Sequence, residues 1–207
     1  PTCIEGGFIE YQCNKCDYTF KYEKNKTGHT KGELEVTVEA TDSTVGTRSL
    51  KCATCGVVFK TYDYVDNGYF KHGKLSVKGP DLVDQYGEKV QLYGLSTHGL
   101  QWFGKYACFE TLAAIQSSFG NNIVRFAMTT AEDGYCEGDD ERRAQMLNAL
   151  TRGIDAATEL GLYVIVDWHM VGATSAVDKN PLTYVKESIE FFSYISEHNK
   201  NQDNILF

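Results

Sequence analysis

In the first part of the chain, apolar and polar residues alternate along short stretches bounded by turn-forming residues. The alternation is clear at residues 8–12 and 33–38, and residues 56–59 form a short apolar and β-branched run. Such patterns are typical of β-strands, because successive side chains of a strand point to opposite faces. An Asp-Asn-Gly turn signal follows at residues 66–68. The pattern therefore predicts a small β-rich module over residues 1–68.

From Lys74 onward, within the second predicted domain of residues 69–207, short apolar runs alternate with segments whose apolar residues recur at helical spacing. A small hairpin is predicted at residues 75–91, and it leads into a strand from Val90 to about Thr97. The other predicted strands are 123–128, 162–166 and 204–207. The predicted helices are 109–119, which Gly120 ends, a second from 139–140 to Gly161, and a third from about Pro181. The inward face of the third helix is predicted to carry Val185, Ile189, Phe192 and Ile195.

This order of strand and helix predicts an α/β fold with a parallel sheet and right-handed crossovers. A doubly wound sheet and a TIM (β/α)8 barrel both fit the order. No G-x-G-x-x-G motif follows the first strand, which removes the usual support for the doubly wound sheet. His98 and His169 lie at the carboxyl ends of the first and third strands, and Arg125 lies within the second. Because barrel active sites gather at that edge, residues 69–207 are predicted to form strands one to four, the first half of a TIM barrel.

Charge and hydropathy exclude two classes of partner. The 207-residue chain has a formal net charge of -8 and a sequence pI of about 5.1. A nucleic-acid partner is not expected, because nucleic-acid-binding proteins carry a basic patch or stripe. A membrane span is not expected either, since no run approaches the ~18 apolar residues that a bilayer requires.

Five of the seven cysteines lie within the first 55 residues, and four of them form two C-x-x-C pairs. A shift of 39 residues superimposes the two pairs, together with Gly7 on Gly46 and Phe20 on Phe59. Each repeat has too little apolar surface for a core of its own, so a metal or disulfides must add stability. One predicted zinc site has four thiolate ligands from Cys13, Cys16, Cys52 and Cys55. The competing set is Cys3, Cys13, Cys16 and His29, and disulfide bonds remain a third possibility.

Three kinds of polar or aromatic residue near the strand ends are candidates for ligand binding. Arg125 interrupts an apolar strand, so its guanidinium must meet either a structural carboxylate or a substrate. His98 and His169 occupy equivalent strand ends, which favours a shared site. Trp102 is either a core residue or a platform for a sugar ring, because aromatic faces stack on apolar C–H surfaces.

Several of these segments resemble the motifs of a known enzyme family. Residues 94–103, 124–135 and 161–169 are similar to the first, second and third strand motifs of bacterial glycoside hydrolase family 5 endoglucanases. The hairpin at 75–91 resembles the plug under their barrel. Residues 1–29 resemble cysteine-rich repeats common in surface proteins of anaerobic bacteria, which favours the second metal set.

The resemblance implies a retaining endo-β-1,4-glucanase that acts on cellulose or related β-glucans and needs no cofactor for catalysis. Such enzymes use two glutamates about 5 Å apart, and the resemblance puts both beyond Phe207, so the chain is predicted to be inactive alone. It implies that Arg125 orients the nucleophile, that His98 and His169 contact sugar, and that Trp102 stacks under a more distant glucose. Thr129 departs from the family, which often has tyrosine there.

Three further expectations concern the whole protein. The parent enzyme is expected to be secreted or held at a bacterial cell surface, with a β-glucan polysaccharide as its partner. A non-catalytic carbohydrate-binding or adhesion protein is the alternative function. Four parallel strands leave two open edges, so the chain is expected to dimerise through the open half-barrel or to be poorly soluble.

Overall fold

The computed structural model describes residues 1–41, 43–170 and 182–207, which fall into two compact units, 1–64 and 65–207. The division precedes the turn signal at 66–68. Among the described residues, no helix combines the length and the apolar content that a membrane crossing would need.

The first unit consists of five antiparallel strands in two sheets. One sheet pairs β1 with β2, and the other has the order β3-β4-β5. The bounds are Gly7–Gln12 (β1), Thr19–Lys24 (β2), Lys31–Val38 (β3), Gly46–Cys52 (β4) and Val58–Tyr64 (β5). The shift of 39 residues carries β1 onto β4 and β2 onto β5, so each C-x-x-C pair connects two paired strands. The proposed repeat is therefore a hairpin with a cysteine pair at its tip.

The core of the first unit is small and lies on the second hairpin. Leu50, Tyr62 and Tyr64 are buried, whereas β1 and β2 are exposed along nearly their whole length. The buried guanidinium of Arg48 lies 3.9 Å from the centre of the Tyr64 ring. So few buried side chains contribute little hydrophobic stabilisation, which fits the expectation that a unit of this size needs a further cross-link.

The second unit contains a short hairpin and a four-stranded parallel sheet with its connecting helices. Strands β6 and β7 form the hairpin, and β8 to β11 form the sheet. Their bounds are Ser76–Lys78 (β6), Asp81–Val83 (β7), Gly94–Ser96 (β8), Ile123–Thr129 (β9), Tyr163–His169 (β10) and Ile205–Leu206 (β11). The helices are Tyr69–His72 (α1), Leu100–Phe103 (α2), Phe109–Phe119 (α3), Asp140–Glu159 (α4) and Val185–His198 (α5), with a 3-10 turn at Gly104–Tyr106.

Strand order supports the barrel over the doubly wound sheet. The strands pair in chain order, β8-β9-β10-β11, and every pairing is parallel. In a doubly wound sheet the order in which strands are added reverses at a switch point, so later strands lie on the other side of the first strand. In a barrel each new strand is added on the same side as the one before. The predicted α/β half-barrel is therefore confirmed for the second unit.

The first strand of the sheet is shorter than the sequence predicts. Val90 was expected to begin it, but the backbone N–H of Val90 donates to Leu82 O at 3.0 Å and so extends the hairpin. The Asn122 side chain then accepts from Tyr93 N and donates to Gln91 O, at 2.9 and 3.0 Å. These bonds occupy the backbone before Gly94, which confines the strand to Gly94–Ser96.

The helix boundaries agree with their predicted signals. Gly120 ends α3 in a left-handed conformation with φ of 65°, and the Asp139 side chain caps α4 by accepting from Arg142 N at 2.8 Å. The start predicted near Pro181 lies outside the described residues.

The predicted inward face of α5 is partly wrong. Phe191 and Ile195 are fully buried, whereas Val185 and Ile189 are exposed. The reason is the aromatic cluster beneath the helix, in which the Phe191 ring lies 5.1 Å from Trp168 and 5.5 Å from Tyr135. This contact rotates the helix so that Phe191 faces the sheet.

Candidate functional site

Four side chains from three neighbouring strands meet near the carboxyl edge of the parallel sheet. Ser96 of β8 and Ile165 of β10 are register partners of Arg125 in β9. Because side chains alternate along a strand, Asp167 and His169 share the face on which Ile165 and Arg125 lie. The sheet therefore brings a cation, a carboxylate, an imidazole and a hydroxyl onto one face.

Arg125 is at the centre of this group. Its guanidinium donates to Asp167 Oδ2 at 2.5 Å and to Ser96 Oγ at 2.7 Å. Its side chain is 32% exposed and that of Asp167 is 23% exposed. The structure thus supplies the carboxylate that a partly buried arginine requires, and it leaves about a third of the Arg125 side chain exposed.

His169 contacts both charged members of the group. Its Nδ1 lies 3.0 Å from Arg125 Nη2 and 3.0 Å from Asp167 Oδ2. An unprotonated Nδ1 accepts from Arg125, and a protonated Nδ1 donates to Asp167, so the tautomer decides which contact is a hydrogen bond. In either tautomer the imidazole is held against the ion pair.

His98 and Trp102 form a separate aromatic contact on the segment after β8. Their ring centres are 5.1 Å apart, and Phe103 lies 5.5 Å from His98 on another side. His98 Nδ1 accepts from Gly99 N at 2.8 Å, and Nε2 has no hydrogen-bond partner among the described residues. Trp102 is 47% exposed, so its ring is available to a ligand and is not a core residue.

Ser96 and Asp167 were not among the predicted site residues, although the sequence contained a signal for both. Asp167 is the acidic residue two positions before His169, and Ser96 is the hydroxyl two positions before His98. The loop after β9 belongs to the segment matched to the second-strand motif, but no site residue was predicted in it. Its residues Glu132 and Asp133 have positive φ of 55° and 59°, a conformation that costs about 1–3 kcal/mol for such residues and clusters at functional sites. Asp133 is held there by Arg142 at 2.9 Å.

A second group of potential ligands lies in the first unit. One ligand atom from each of Cys3, His29, Cys52 and Cys55 lies within 4.8 Å of the others. Cys3 and Cys52 are buried, and Cys55 is exposed. This group could hold a metal ion, and it lies where the chain start and the segment before β3 meet the tip of the second hairpin.

The local surroundings shift the pKa values of two of these thiols in opposite directions. Burial raises the pKa of the Cys3 thiol to about 11, and the neighbouring Cys55 and Cys52 thiols add to the effect. Burial also opposes ionisation of Cys52, but the backbone amides of Cys55 and Thr30 and the His29 side chain outweigh it and lower the Cys52 pKa to about 5. The lowered pKa favours the thiolate form of Cys52, which is the form that binds a metal ion.

The group differs from both metal sets predicted from the sequence. It takes Cys52 and Cys55 from the four-thiolate set and Cys3 and His29 from the other. Cys13 and Cys16, which both predicted sets contain, lie outside it, and among the described residues they have no third cysteine, histidine or carboxylate ligand close by. All seven cysteines lie within the described residues, and all are free thiols.

The fold and the carboxyl-edge group together define a class of protein, namely enzymes built on a parallel (β/α) barrel. Residues 83–207, more than half of the chain, match the family model described as Cellulase (glycosyl hydrolase family 5). The chain therefore belongs to this family of glycoside hydrolases, which confirms the resemblance seen in the sequence.

Individual relatives and solved structures agree with this assignment. The chain is 35% identical over 137 residues to endoglucanase A of Butyrivibrio fibrisolvens, which covers 66% of this chain and 31% of that protein. It is 35% identical over 136 residues to endoglucanase 5 of Pectobacterium carotovorum subsp. carotovorum, which covers 66% of this chain and 25% of that protein. The crystal structure of the catalytic domain of Thermobifida fusca endoglucanase Cel5A superimposes with a TM-score of 0.59 at 33% identity, covering 67% of this chain and 42% of that one. The chain thus spans less than a third of the length of these two curated relatives.

Proposed function

We propose that residues 65–207 form the substrate-binding half of the active site of a retaining endo-β-1,4-glucanase. This enzyme would act on cellulose or related β-glucans. The observation that carries the proposal is the Arg125 group, which joins three consecutive parallel strands near their carboxyl edge in a chain of the cellulase family. Barrel enzymes build their active sites at this edge.

Each residue has a proposed task that follows from its contacts. Arg125 is fixed by Asp167 and Ser96 and is partly exposed, so its guanidinium can orient and charge-stabilise a nucleophilic carboxylate. The ring of His169 contacts this pair, and Nε2 of His98 has no partner within the described part of the chain, so both imidazoles can hydrogen-bond sugar hydroxyls. Trp102 offers an exposed aromatic face on which a more distant glucose can stack.

We propose that the two carboxylates that the reaction requires are not among the described residues. Retaining glycosidases use two carboxyl groups about 5 Å apart, one as nucleophile and one as acid/base. Asp167 is the carboxylate of the Arg125 group, and it is engaged by that guanidinium. We therefore expect no turnover of soluble carboxymethylcellulose by the 207-residue chain. Activity that Asp167→Asn or Glu132→Gln abolishes would refute this division of roles.

Sugar binding is tested by titrating the 207-residue chain with cellotetraose and measuring the heat of binding by isothermal titration calorimetry. Trp102→Ala should weaken binding roughly 2- to 12-fold, because an aromatic contact contributes about 0.5–1.5 kcal/mol. Phe119→Ala is the matched control, since Phe119 is also an exposed aromatic residue but ends α3 at the opposite edge of the sheet. Equal affinity in both variants would remove Trp102 from the site.

Hydrolysis by the complete barrel is tested with a chimera. Residues 83–207 replace the matching segment of the Thermobifida fusca catalytic domain, and carboxymethylcellulose turnover is measured. Turnover that is lost on substitution of Arg125 supports the proposal that the chain is part of a hydrolase. Cellotetraose binding without turnover in the folded chimera supports the alternative of a non-catalytic carbohydrate-binding protein.

We further propose that the enzyme is exported by a bacterium and that its partner is an extracellular β-glucan. The named relatives come from bacteria and are endoglucanases, and a polymeric substrate must be met outside the cell. For the first unit we propose a structural role that depends on a bound zinc ion.

A further inference from the structure

We propose that Cys3, His29, Cys52 and Cys55 bind one structural Zn²⁺ ion, so that a single site closes the first unit by using ligands from both repeats. This inference rests on the structural role proposed for the first unit and adds the ligand set. It assigns no metal to the first cysteine pair, Cys13 and Cys16.

Two of the distances between ligand atoms match those of a tetrahedral zinc ion. Zn–S bonds of about 2.3 Å and Zn–N bonds of about 2.0–2.1 Å, in tetrahedral geometry, place two sulfurs about 3.8 Å apart and a sulfur and a nitrogen about 3.5–3.6 Å apart. Cys3 Sγ lies 3.8 Å from Cys52 Sγ, and Cys55 Sγ lies 3.5 Å from His29 Nδ1. Both pairs therefore already have the spacing that the metal requires.

A disulfide does not explain this arrangement. A disulfide bond brings two sulfurs to about 2.05 Å, whereas Cys3 and Cys52 are separated by nearly twice that distance. Three thiols and one imidazole facing a common centre form the Cys₃His set of structural zinc sites. A closed set of four protein ligands leaves no open position for chemistry, so the site is structural.

Neighbouring groups hold these ligands in place. The His29 ring stacks on Phe59 with ring centres 5.1 Å apart, which fixes the direction of Nδ1. The backbone N–H of Thr54 donates to Cys52 Sγ at 3.4 Å. Groups of this kind orient metal ligands and neutralise part of the thiolate charge.

Backbone hydrogen bonds bring the three ligand-bearing segments together. Gly28 N donates to Cys3 O at 3.1 Å, and Ala53 N donates to Thr30 O at 3.0 Å. The first bond joins the chain start to the residue before His29, and the second joins the residue after His29 to the tip of the second hairpin. The metal would therefore cross-link segments that are far apart in sequence, in a unit whose apolar core is small.

The first cysteine pair provides a matched control. Lys15 N donates to Cys13 Sγ at 3.4 Å, as Thr54 N does to Cys52 Sγ, so the two pairs share a local geometry. Only the second pair faces Cys3 and His29. The zinc content of variants that lack one cysteine pair or the other should therefore distinguish the two pairs, although their sequences are similar.

The test uses the 207-residue chain, purified under reducing conditions, with zinc measured by mass spectrometry. The unchanged protein should contain about one zinc per chain. Cys52→Ser/Cys55→Ser should lose it, and Cys13→Ser/Cys16→Ser should keep it. Loss of zinc in both double variants would favour the four-thiolate set, and loss only in the Cys13/Cys16 variant would overturn the proposal.

A further variant distinguishes the loss of a metal ligand from misfolding of the first unit. Cys55→His keeps a ligand at the same place, so the protein should still bind Co²⁺, but its sulfur-to-cobalt charge-transfer absorption should fall by about a third, because two thiolates remain of three. An unchanged absorption would remove Cys55 from the site. An unchanged protein that contains no zinc and has fewer than seven titratable thiols would instead refute the zinc role itself.

Discussion

At the scale of single residues, polar groups in this molecule matter through the partners that the fold gives them. Arg125 interrupts an apolar strand, and the sequence alone allowed either a structural carboxylate or a substrate as its partner. The structure pairs it with Asp167 and leaves the Arg125 side chain partly exposed, so the structural ion pair is compatible with the substrate-facing role that we propose.

Removing the carboxylate of the Arg125–Asp167 pair tests how much this pair contributes to the free energy of unfolding. Asp167→Asn should lower the free energy of unfolding by about 1–2 kcal/mol, because the partly buried Arg125 loses a charge-assisted hydrogen bond. Glu197→Gln is the control, since Glu197 pairs with Lys200 on the open surface and such a pair contributes little. Urea unfolding of both variants decides the point, and equal changes would show that the Arg125 pair is no stronger than a surface pair.

A buried carboxylate in the hairpin region should make the stability of the second unit depend on acidity. The hydrogen bond from His72 holds the pKa of Asp84 below its usual 3.8; burial opposes the shift, and the amides of Glu88 and Tyr86 support it. The unfolded chain therefore binds a proton more readily than the folded one, so this stabilisation is complete above about pH 4 and is lost as the pH falls below that value.

Thermal unfolding midpoints measured between pH 6 and pH 3 test this dependence. Asp84→Asn should be less stable than the unchanged protein at pH 6, and the difference should shrink toward pH 3. A difference that stays constant with pH would show that Asp84 acts through packing and not through its charge.

At the scale of secondary-structure elements, local signals in the sequence were reliable where a side chain or glycine acts on its own backbone. The residues predicted to end α3 and to begin α4 do so, because Gly120 adopts a left-handed conformation and Asp139 accepts from a free backbone N–H. Predictions failed where a distant contact decided the outcome, as in the rotation of α5 and the shortened β8.

The cap of α4 gives a quantitative test. Asp139→Ala should destabilise the chain by about 1 kcal/mol, because the N–H of Arg142 loses its acceptor. Asp139→Asn should preserve stability, since asparagine caps helices about as well. Chemical denaturation measures both variants, and equal losses would point to charge as the stabilising factor.

At the scale of the whole molecule, the described part of the chain adds no strand to either side of the parallel sheet of the second unit. Strands β8 and β11 are the outer strands, and Leu95 in β8 is 47% exposed. A mostly apolar pocket of about 430 Å³ lies beside β8 and α3; its lining includes Leu95, Phe103, Leu112, Ile115 and Val124. Exposed apolar strand edges promote association, so we propose that the 207-residue chain dimerises through the open half-barrel.

Sedimentation velocity over a range of concentrations tests this association. The unchanged chain should show a concentration-dependent dimer, and Leu95→Lys should shift it toward monomer by placing a charge on the open edge. Val77→Lys is the control, because Val77 is 79% exposed but lies on the hairpin. A chain that stays monomeric at every concentration would rule out this mode of association.

The sequence by itself determined the order of strands and helices, their end signals, the repeat of the cysteine pairs and the family. These features depend on periodicity, on turn and cap chemistry and on local motifs, all of which act over a few residues. Only the tertiary structure decided that Asp167 and Ser96 join Arg125, and that Cys3 and His29 face Cys52 and Cys55 but not Cys13 and Cys16. Both groups unite residues that lie far apart along the chain, and the contacts between them arise from strand register and hairpin pairing, which no local pattern specifies.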